Sequence, residues 1–111
     1  MLIRSQDKEI LVNMETSIVF HISGVIGKKY PIFVYWKGNG YVIGFYSTKA
    51  KAMKVLDMIQ EAYADEKLVD YTTYLQRKEI EKMDDSTILA LRNELMKKAV
   101  FQMPEDGSVE V

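Results

Sequence analysis

The chain has 111 residues, 48% of them hydrophobic, and carries 15 Lys and Arg against 16 Asp and Glu, so its net charge is close to zero. A chain of this length fits one domain and buries roughly two thirds of the surface that it exposes when unfolded. It contains no cysteine, which excludes disulfide bonds, thiolate nucleophiles and zinc sites built on sulfur. We therefore expect a folded core that requires neither a metal ion nor a cofactor.

The charges are distributed unevenly along the chain. Residues 1–54 hold eight Lys and Arg against three acids, whereas residues 55–111 hold seven against thirteen. A basic half can bind an anionic partner, but two halves of opposite charge can also pack together and neutralise each other. We favour the second interpretation. The N-terminal residues include Arg4 and Asp7 and no apolar run follows, so we expect no signal peptide, no membrane span and a cytoplasmic location.

Residues 1–47 predict a β-meander. The segments "LIRS" and "ILVN" predict two short strands around the turn 5–8, in which Asp7 can hydrogen-bond the nearby backbone. The segment "TSIVFHIS" alternates, with Ile18, Phe20 and Ile22 on one face. The glycines and lysines of "GVIGKKY" predict a loop.

The segment "KGNG" predicts a β-hairpin between "YPIFVYW" and "YVIGFYS", because glycine and asparagine tolerate the positive φ that tight turns require. Both faces of this hairpin carry large apolar or aromatic side chains. A sheet with one solvated face would show polar residues at alternate positions. We therefore expect the second face to be covered by helices or by another subunit. Gly44 marks a bulge or the close approach of a helix.

Residues 48–64 predict a helix, because apolar residues recur at helical spacing from Ala52 to Tyr63 and Ser47 or Thr48 can cap its start. Residues 65–99 predict a helical insertion. The acidic pairs at 65–66 and 84–85 are read as helix caps rather than as metal or catalytic carboxylates. Residues 100–104 predict the last strand and 105–111 a flexible tail.

Together these elements predict an α+β fold: an antiparallel β-meander of five or six strands with two or three packed helices. A pleckstrin-homology-like arrangement, in which a helix caps a curved meander, is one special case of it.

Four segments, "MLIRSQDK", "LVN", "IGFYSTKAKAMKVLDMIQEA" and "VFQMPED", resemble an uncharacterised family of small proteins from Gram-positive Firmicutes, their phages and their mobile elements. The resemblance covers the two ends of the chain and the strand-to-helix joint. It implies no catalytic residue, because the family has no assigned activity. It implies that "VFQMP" is a structural strand beside the first strand of the sheet. It also implies that residues 65–98 are an insertion relative to shorter members.

The sequence shows no catalytic constellation. His21 is the single histidine, and no carboxylate lies near it in the sequence, so a strand histidine is a better interpretation than a metal ligand. There is no Gly-x-Ser-x-Gly turn, no phosphate loop and no dinucleotide fingerprint. We therefore predict that the protein is not an enzyme.

Two basic clusters are candidates for contact with an anion or a nucleic acid. The first lies at the predicted helix start, where free backbone N–H groups attract anions, and the second mixes lysines with aromatic residues. A solvated lysine face and an aromatic core or interface are the favoured alternatives. The candidate residues are Lys28, Lys29, Lys37, Lys49, Lys51, Lys54 and Trp36.

From these patterns we expect a small non-enzymatic protein-interaction or adaptor protein of phage or mobile-element type, which forms a homodimer through apolar sheet surface. The alternative is a nucleic-acid-binding protein that uses the basic N-terminal half, whose affinity would fall steeply with salt. A small hydrolase or nuclease would require carboxylates that converge in a deep pocket.

Overall fold

In the described residues, six strands form two sheets and one long helix packs on a face of the second sheet. This confirms the predicted α+β fold, with fewer helices than the two or three predicted. The computed structural model describes residues 1–16, 18–22, 24–75, 84–87, 89–90, 93 and 99–111. The elements in chain order are β1 (Leu2–Arg4), β2 (Leu11–Asn13), β3 (Val19–Ile22), β4 (Tyr30–Trp36), β5 (Asn39–Tyr46), α1 (Lys49–Leu75), β6 (Val100–Gln102) and a 3-10 turn (Asp106–Ser108).

The strands follow the predicted meander but divide into two sheets. One sheet has the order β2-β1-β6 and the other the order β3-β4-β5, so β2 and β3 follow each other in the chain without pairing. Strand β6 lies beside β1, as predicted for "VFQMP", and runs parallel to it, with Ile3 opposite Phe101. All other pairs are antiparallel.

Two predicted turns are confirmed. Lys37 and Gly38 both have positive φ, at 48° and 81°, and form the two-residue turn of the β4–β5 hairpin, while Asn39 already pairs with Trp36. In the β1–β2 turn the Asp7 carboxylate accepts the Glu9 N–H at 3.0 Å. The local sequence therefore sets both hairpins.

Gly44 lies at a bulge, as its place in the strand predicted. Ile32 pairs with Gly44 and Phe33 with Val42, so Ile43 is the extra residue on β5. The segment that approaches Gly44 is not a helix, however. A β-carbon at Gly44 would come within 3.3 Å of the Gln6 side chain and 3.2 Å of Met103, so the glycine makes room for the β1–β2 turn and the C-terminal segment.

Helix α1 begins where the sequence predicted. The Thr48 hydroxyl accepts the Lys51 N–H at 3.1 Å and caps the first turn. The predicted apolar stripe is buried at Ala52, Val55 and Ile59. It packs on the face of the β3–β4–β5 sheet that carries Phe20, Ile22, Ile32, Val34 and Ile43.

The predicted boundary near residue 64 is absent, because α1 continues without a break to Leu75. The interpretation of Asp65 and Glu66 as a helix cap is therefore wrong. Glu66 lies within the helix, and one of its carboxylate oxygens is 3.0 Å from the Met1 amino group. The other predicted cap is confirmed, since the Asp84 carboxylate accepts the Thr87 N–H at 2.7 Å. Residues 76–83, 88, 91–92 and 94–98 of the predicted insertion lie outside the described residues.

The prediction of a flexible tail over 105–111 is also wrong. Val109 is buried in the core, and the 3-10 turn Asp106–Ser108 lies against the start of α1. A short polar segment at the end of a chain is flexible only when it makes no contacts with the folded core. Here one apolar residue and one carboxylate attach the segment to the rest of the fold.

Candidate interaction surfaces

Three segments that are distant in the sequence meet beside Tyr46, at a place that we call the closed end of the β4–β5 hairpin. Gln6 joins them. Its backbone N–H donates to the Ile43 carbonyl at 2.9 Å, and its side-chain oxygen accepts the Phe45 N–H at 2.7 Å. Its side-chain NH₂ donates to the carbonyls of Phe45 and Pro104. The amide thus pairs with the edge of β5 as a neighbouring strand would.

The closed end also places a carboxylate, that of Asp106, at the lysine-rich start of α1. The first turn of the helix contains no acid. Instead, the Asp106 carboxylate accepts the Ser47 N–H at 2.7 Å and lies 3.5 Å from the Lys51 ammonium group, which also donates to the Asp106 carbonyl. The Ser47 N–H is the main reason that the pKa of Asp106 lies below its usual value. The chain supplies its own anion at this helix terminus.

Tyr46 completes the closed end. Its ring is fully buried, and its hydroxyl donates to the Pro104 carbonyl at 2.9 Å. Burial, with the charges of Glu105 and Asp106 as further causes, raises the pKa of the Tyr46 phenol far above its usual value. The hydroxyl therefore remains protonated and serves as a hydrogen-bond donor, not as an acid or base.

The predicted anion-binding residues are divided between the two ends of the hairpin. Lys28 and Lys29 lie in the loop before β4, and the three lysines of α1 lie after β5, so both groups are at the Tyr30–Tyr46 end. Lys37 and Trp36 lie at the opposite end, about 20 Å away along the seven residues of β4. The basic and aromatic residues therefore form no continuous track.

Among the predicted residues, Lys37 and Trp36 do come together, with the Lys37 ammonium group 4.8 Å from the centre of the indole ring. Lys51 is engaged by Asp106 as described above, whereas Lys49 and Lys54 are exposed on α1. Their contact with an anion or nucleic acid remains a prediction.

The face of the β3–β4–β5 sheet opposite α1 forms a surface that we call the outer surface. Among its members Val19, Tyr35 and Phe45 are 61%, 37% and 38% exposed, so α1 does not provide the cover that the two-sided pattern predicted. The Phe33 and Tyr35 rings stack at 5.8 Å, and the His21 ring lies 6.3 Å from Tyr35. The outer surface consists of Val19, His21, Phe33, Tyr35, Val42 and Phe45.

A second candidate is an open groove of about 340 Å³ at the Trp36 end of the hairpin, which sequence reasoning did not identify. It lies between β2 and the β4–β5 hairpin. Trp36 and Tyr41 line the groove, and 41% and 44% of their surfaces are exposed to solvent. The lining residues carry no charge, and they are Ile10, Leu11, Val12, Asn13, Thr16, Ile18, Val34, Trp36 and Tyr41.

Within the described ranges, no three His, Asp or Glu side chains are grouped so that they would hold a metal ion. No helix in the described part of the chain has both the length and the apolar character needed to cross a bilayer. No protein-family model, curated protein or solved structure matches the chain.

Proposed function

We propose that this chain is a small non-enzymatic protein-interaction protein, an adaptor, that associates with itself through the outer surface. The observation that carries this proposal is the composition of the β3–β4–β5 sheet. Strands β3, β4 and β5 contain no Lys, Arg, Asp or Glu, yet their outer face exposes aromatic and aliphatic side chains. Apolar surface of this kind marks protein–protein contacts, and aromatic residues are enriched at them.

A second copy of the chain is the occupant that fits an uncharged surface best, because two such faces meet without burying an unpaired charge. The area of the outer surface indicates how tightly two copies would bind. Three strands about 4.8 Å apart and about seven residues long cover roughly 300 Å², well below the about 800 Å² per partner of a standard interface. We therefore expect a weak dimer, with a dissociation constant in the tens to hundreds of micromolar.

The phage or mobile-element setting is part of the same proposal. It is supported by the resemblance of residues 1–8, 43–62 and 100–106, which meet at the closed end through Gln6, Tyr46 and Asp106. Segments that share a pattern across a family are expected to meet where they determine the fold. Identifying the genes next to this one tests the setting, and a set of ordinary housekeeping genes would contradict it.

Light scattering during size-exclusion chromatography tests the self-association. The wild-type chain should show an average mass that rises with loading concentration above 12.8 kDa. Tyr35→Glu and Val19→Lys should remain at the monomer mass, because each places a charge in the apolar contact. Met53→Lys is the matched control, since Met53 is also an exposed apolar residue but lies on α1. A wild-type chain that remains monomeric at several hundred micromolar would exclude the dimer.

A further inference from the structure

One wall of the groove is the edge of strand β2. Among the described residues, strand β2 is the outermost strand of its sheet and pairs only with β1. Four consecutive residues, 10–13, line the groove from that wall. Val34, Trp36 and Tyr41 of the β4–β5 hairpin also line the groove.

The hydrogen bonds around β2 show which backbone groups face away from β1. Ser5 donates its N–H to the Ile10 carbonyl at 2.9 Å, and Met14 donates its N–H to the Met1 carbonyl at 3.0 Å. Because backbone groups alternate in direction along an antiparallel strand, those of Ile10, Val12 and Met14 point to β1 and those of Leu11 and Asn13 point away. The Asn13 carbonyl is taken by the Thr16 hydroxyl at 2.8 Å.

Within the described part of the chain, three backbone groups therefore remain for a partner: the N–H and C=O of Leu11 and the N–H of Asn13. Their spacing is that of one face of a β-ladder. Apolar ligands of compact shape could fill the groove, but they would leave these groups unpaired. An extended peptide satisfies both features, since its backbone pairs with the strand edge while alternate side chains enter the pocket.

The uncharged lining and the charge of Lys37 indicate which peptide side chains would fit the groove. The lining is uncharged, so the side chain that enters it must be apolar. Lys37 lies over the ring of Trp36, which lines the groove, and no ion pair engages Lys37 among the described residues. A carboxylate next to the anchoring side chain would meet this ammonium group.

We propose that an extended segment of a partner protein adds as a strand to the edge of β2 and places an aliphatic or aromatic side chain between Trp36 and Tyr41, with an acidic residue beside Lys37. The groove and the outer surface are on opposite faces of the β3–β4–β5 sheet. This proposal therefore holds or fails independently of the self-association.

A displayed library of random decapeptides, selected on the full chain, provides the probe. The selected peptides should alternate apolar and polar residues and include an acid next to the anchor. In a fluorescence-anisotropy titration, Trp36→Ala should weaken the best peptide by roughly tenfold or more. Met53→Ala is the matched control, because it removes an exposed apolar side chain of α1 that does not line the groove, and it should leave the affinity unchanged.

A second pair of variants tests the strand edge itself. Leu11→Pro removes an N–H that points away from β1, so the fold should survive and peptide affinity should fall. Val12→Pro removes an N–H that pairs with β1 and should lower the melting temperature. In wild type, the bound peptide should also slow hydrogen exchange at the amides of Leu11 and Asn13.

Three outcomes would overturn the proposal. The library could yield no peptide that prefers wild type to Trp36→Ala, or the selected peptides could bind Leu11→Pro at full strength. The Leu11 amide could also exchange as fast with peptide as without it, which would indicate a ligand that fills the pocket without pairing to the strand.

Discussion

At the closed end of the β4–β5 hairpin, the polar groups of Gln6, Tyr46 and Asp106 all find partners within the chain, whereas at the Trp36 end two aromatic rings and a strand edge are left open. The closed end joins segments from the beginning, middle and end of the sequence. The open end is built from a local turn and the edge of β2. The contrast indicates that the first region stabilises the fold and the second is available for binding.

The largest expected difference between the two ends is in stability. Tyr46→Ala should lower the free energy of unfolding by about 3–5 kcal/mol, because it removes a fully buried aromatic ring. Trp36→Ala should lower it by only about 1 kcal/mol, since the indole is partly exposed already. Urea denaturation followed by circular dichroism measures both.

Tyr46→Phe keeps this comparison informative if Tyr46→Ala does not fold. It removes only the hydrogen bond to the Pro104 carbonyl, which the Gln6 side chain also reaches, so the loss should be about 1 kcal/mol. Equal losses for Tyr46→Ala and Trp36→Ala would show that the two ends do not differ as described.

A smaller effect is expected at Gln6. Gln6→Ala leaves the Phe45 N–H without its acceptor and removes a donor from two carbonyls, so we expect a loss of about 2 kcal/mol. The same substitution at Gln60, which is exposed on α1, should change the free energy by less than about 0.5 kcal/mol. If both variants were equally stable, Gln6 would be an ordinary surface residue.

Asp106 gives the closed end a dependence on pH. Its folded pKa lies below the unfolded value of 3.8, so its stabilising contribution is present above that pH and is lost as pH falls through the folded pKa. The difference in unfolding free energy between wild type and Asp106→Asn should therefore be constant above about pH 5 and shrink in more acidic solution. A difference that stayed constant down to acid unfolding would contradict the ion pair and hydrogen bonds seen here.

The smallest expected effect concerns nucleic acid. Because the lysines are divided between the two ends, anisotropy titrations with single- and double-stranded oligonucleotides should show no saturable binding at roughly 50 mM salt. Affinity that falls steeply with salt, and that weakens in Lys37→Ala, would restore the nucleic-acid interpretation of the open end.

Local patterns predicted the fold well. The alternation in β3, the turn residues of the β4–β5 hairpin and the apolar stripe of α1 each arise from neighbours in the sequence, and each is found in the structure. The errors concern contacts between distant segments. Asp106 and Val109 looked like tail residues because the helix start and core that they contact lie more than fifty residues earlier.

The candidate sites were predicted less well for the same reason. A list of lysines and aromatic residues does not show that Lys29 and Lys37 lie at opposite ends of β4. The groove lies between β2 and the β4–β5 hairpin, which belong to different sheets and are distant in the sequence. The two-sided apolar pattern of the hairpin predicted a second face that needs cover, and the outer surface carries this pattern. Trp36, which was predicted for a different role, lines the groove.

A dilution series followed residue by residue in two-dimensional NMR spectra tests the central claim most directly. From roughly 500 to 10 µM, the amide signals of Val19, His21, Phe33, Tyr35, Val42 and Phe45 should shift together along one binding curve, while those of Tyr46 and Gln6 at the closed end should not move. Signals that are independent of concentration across the outer surface, or shifts confined to another face, would contradict the account.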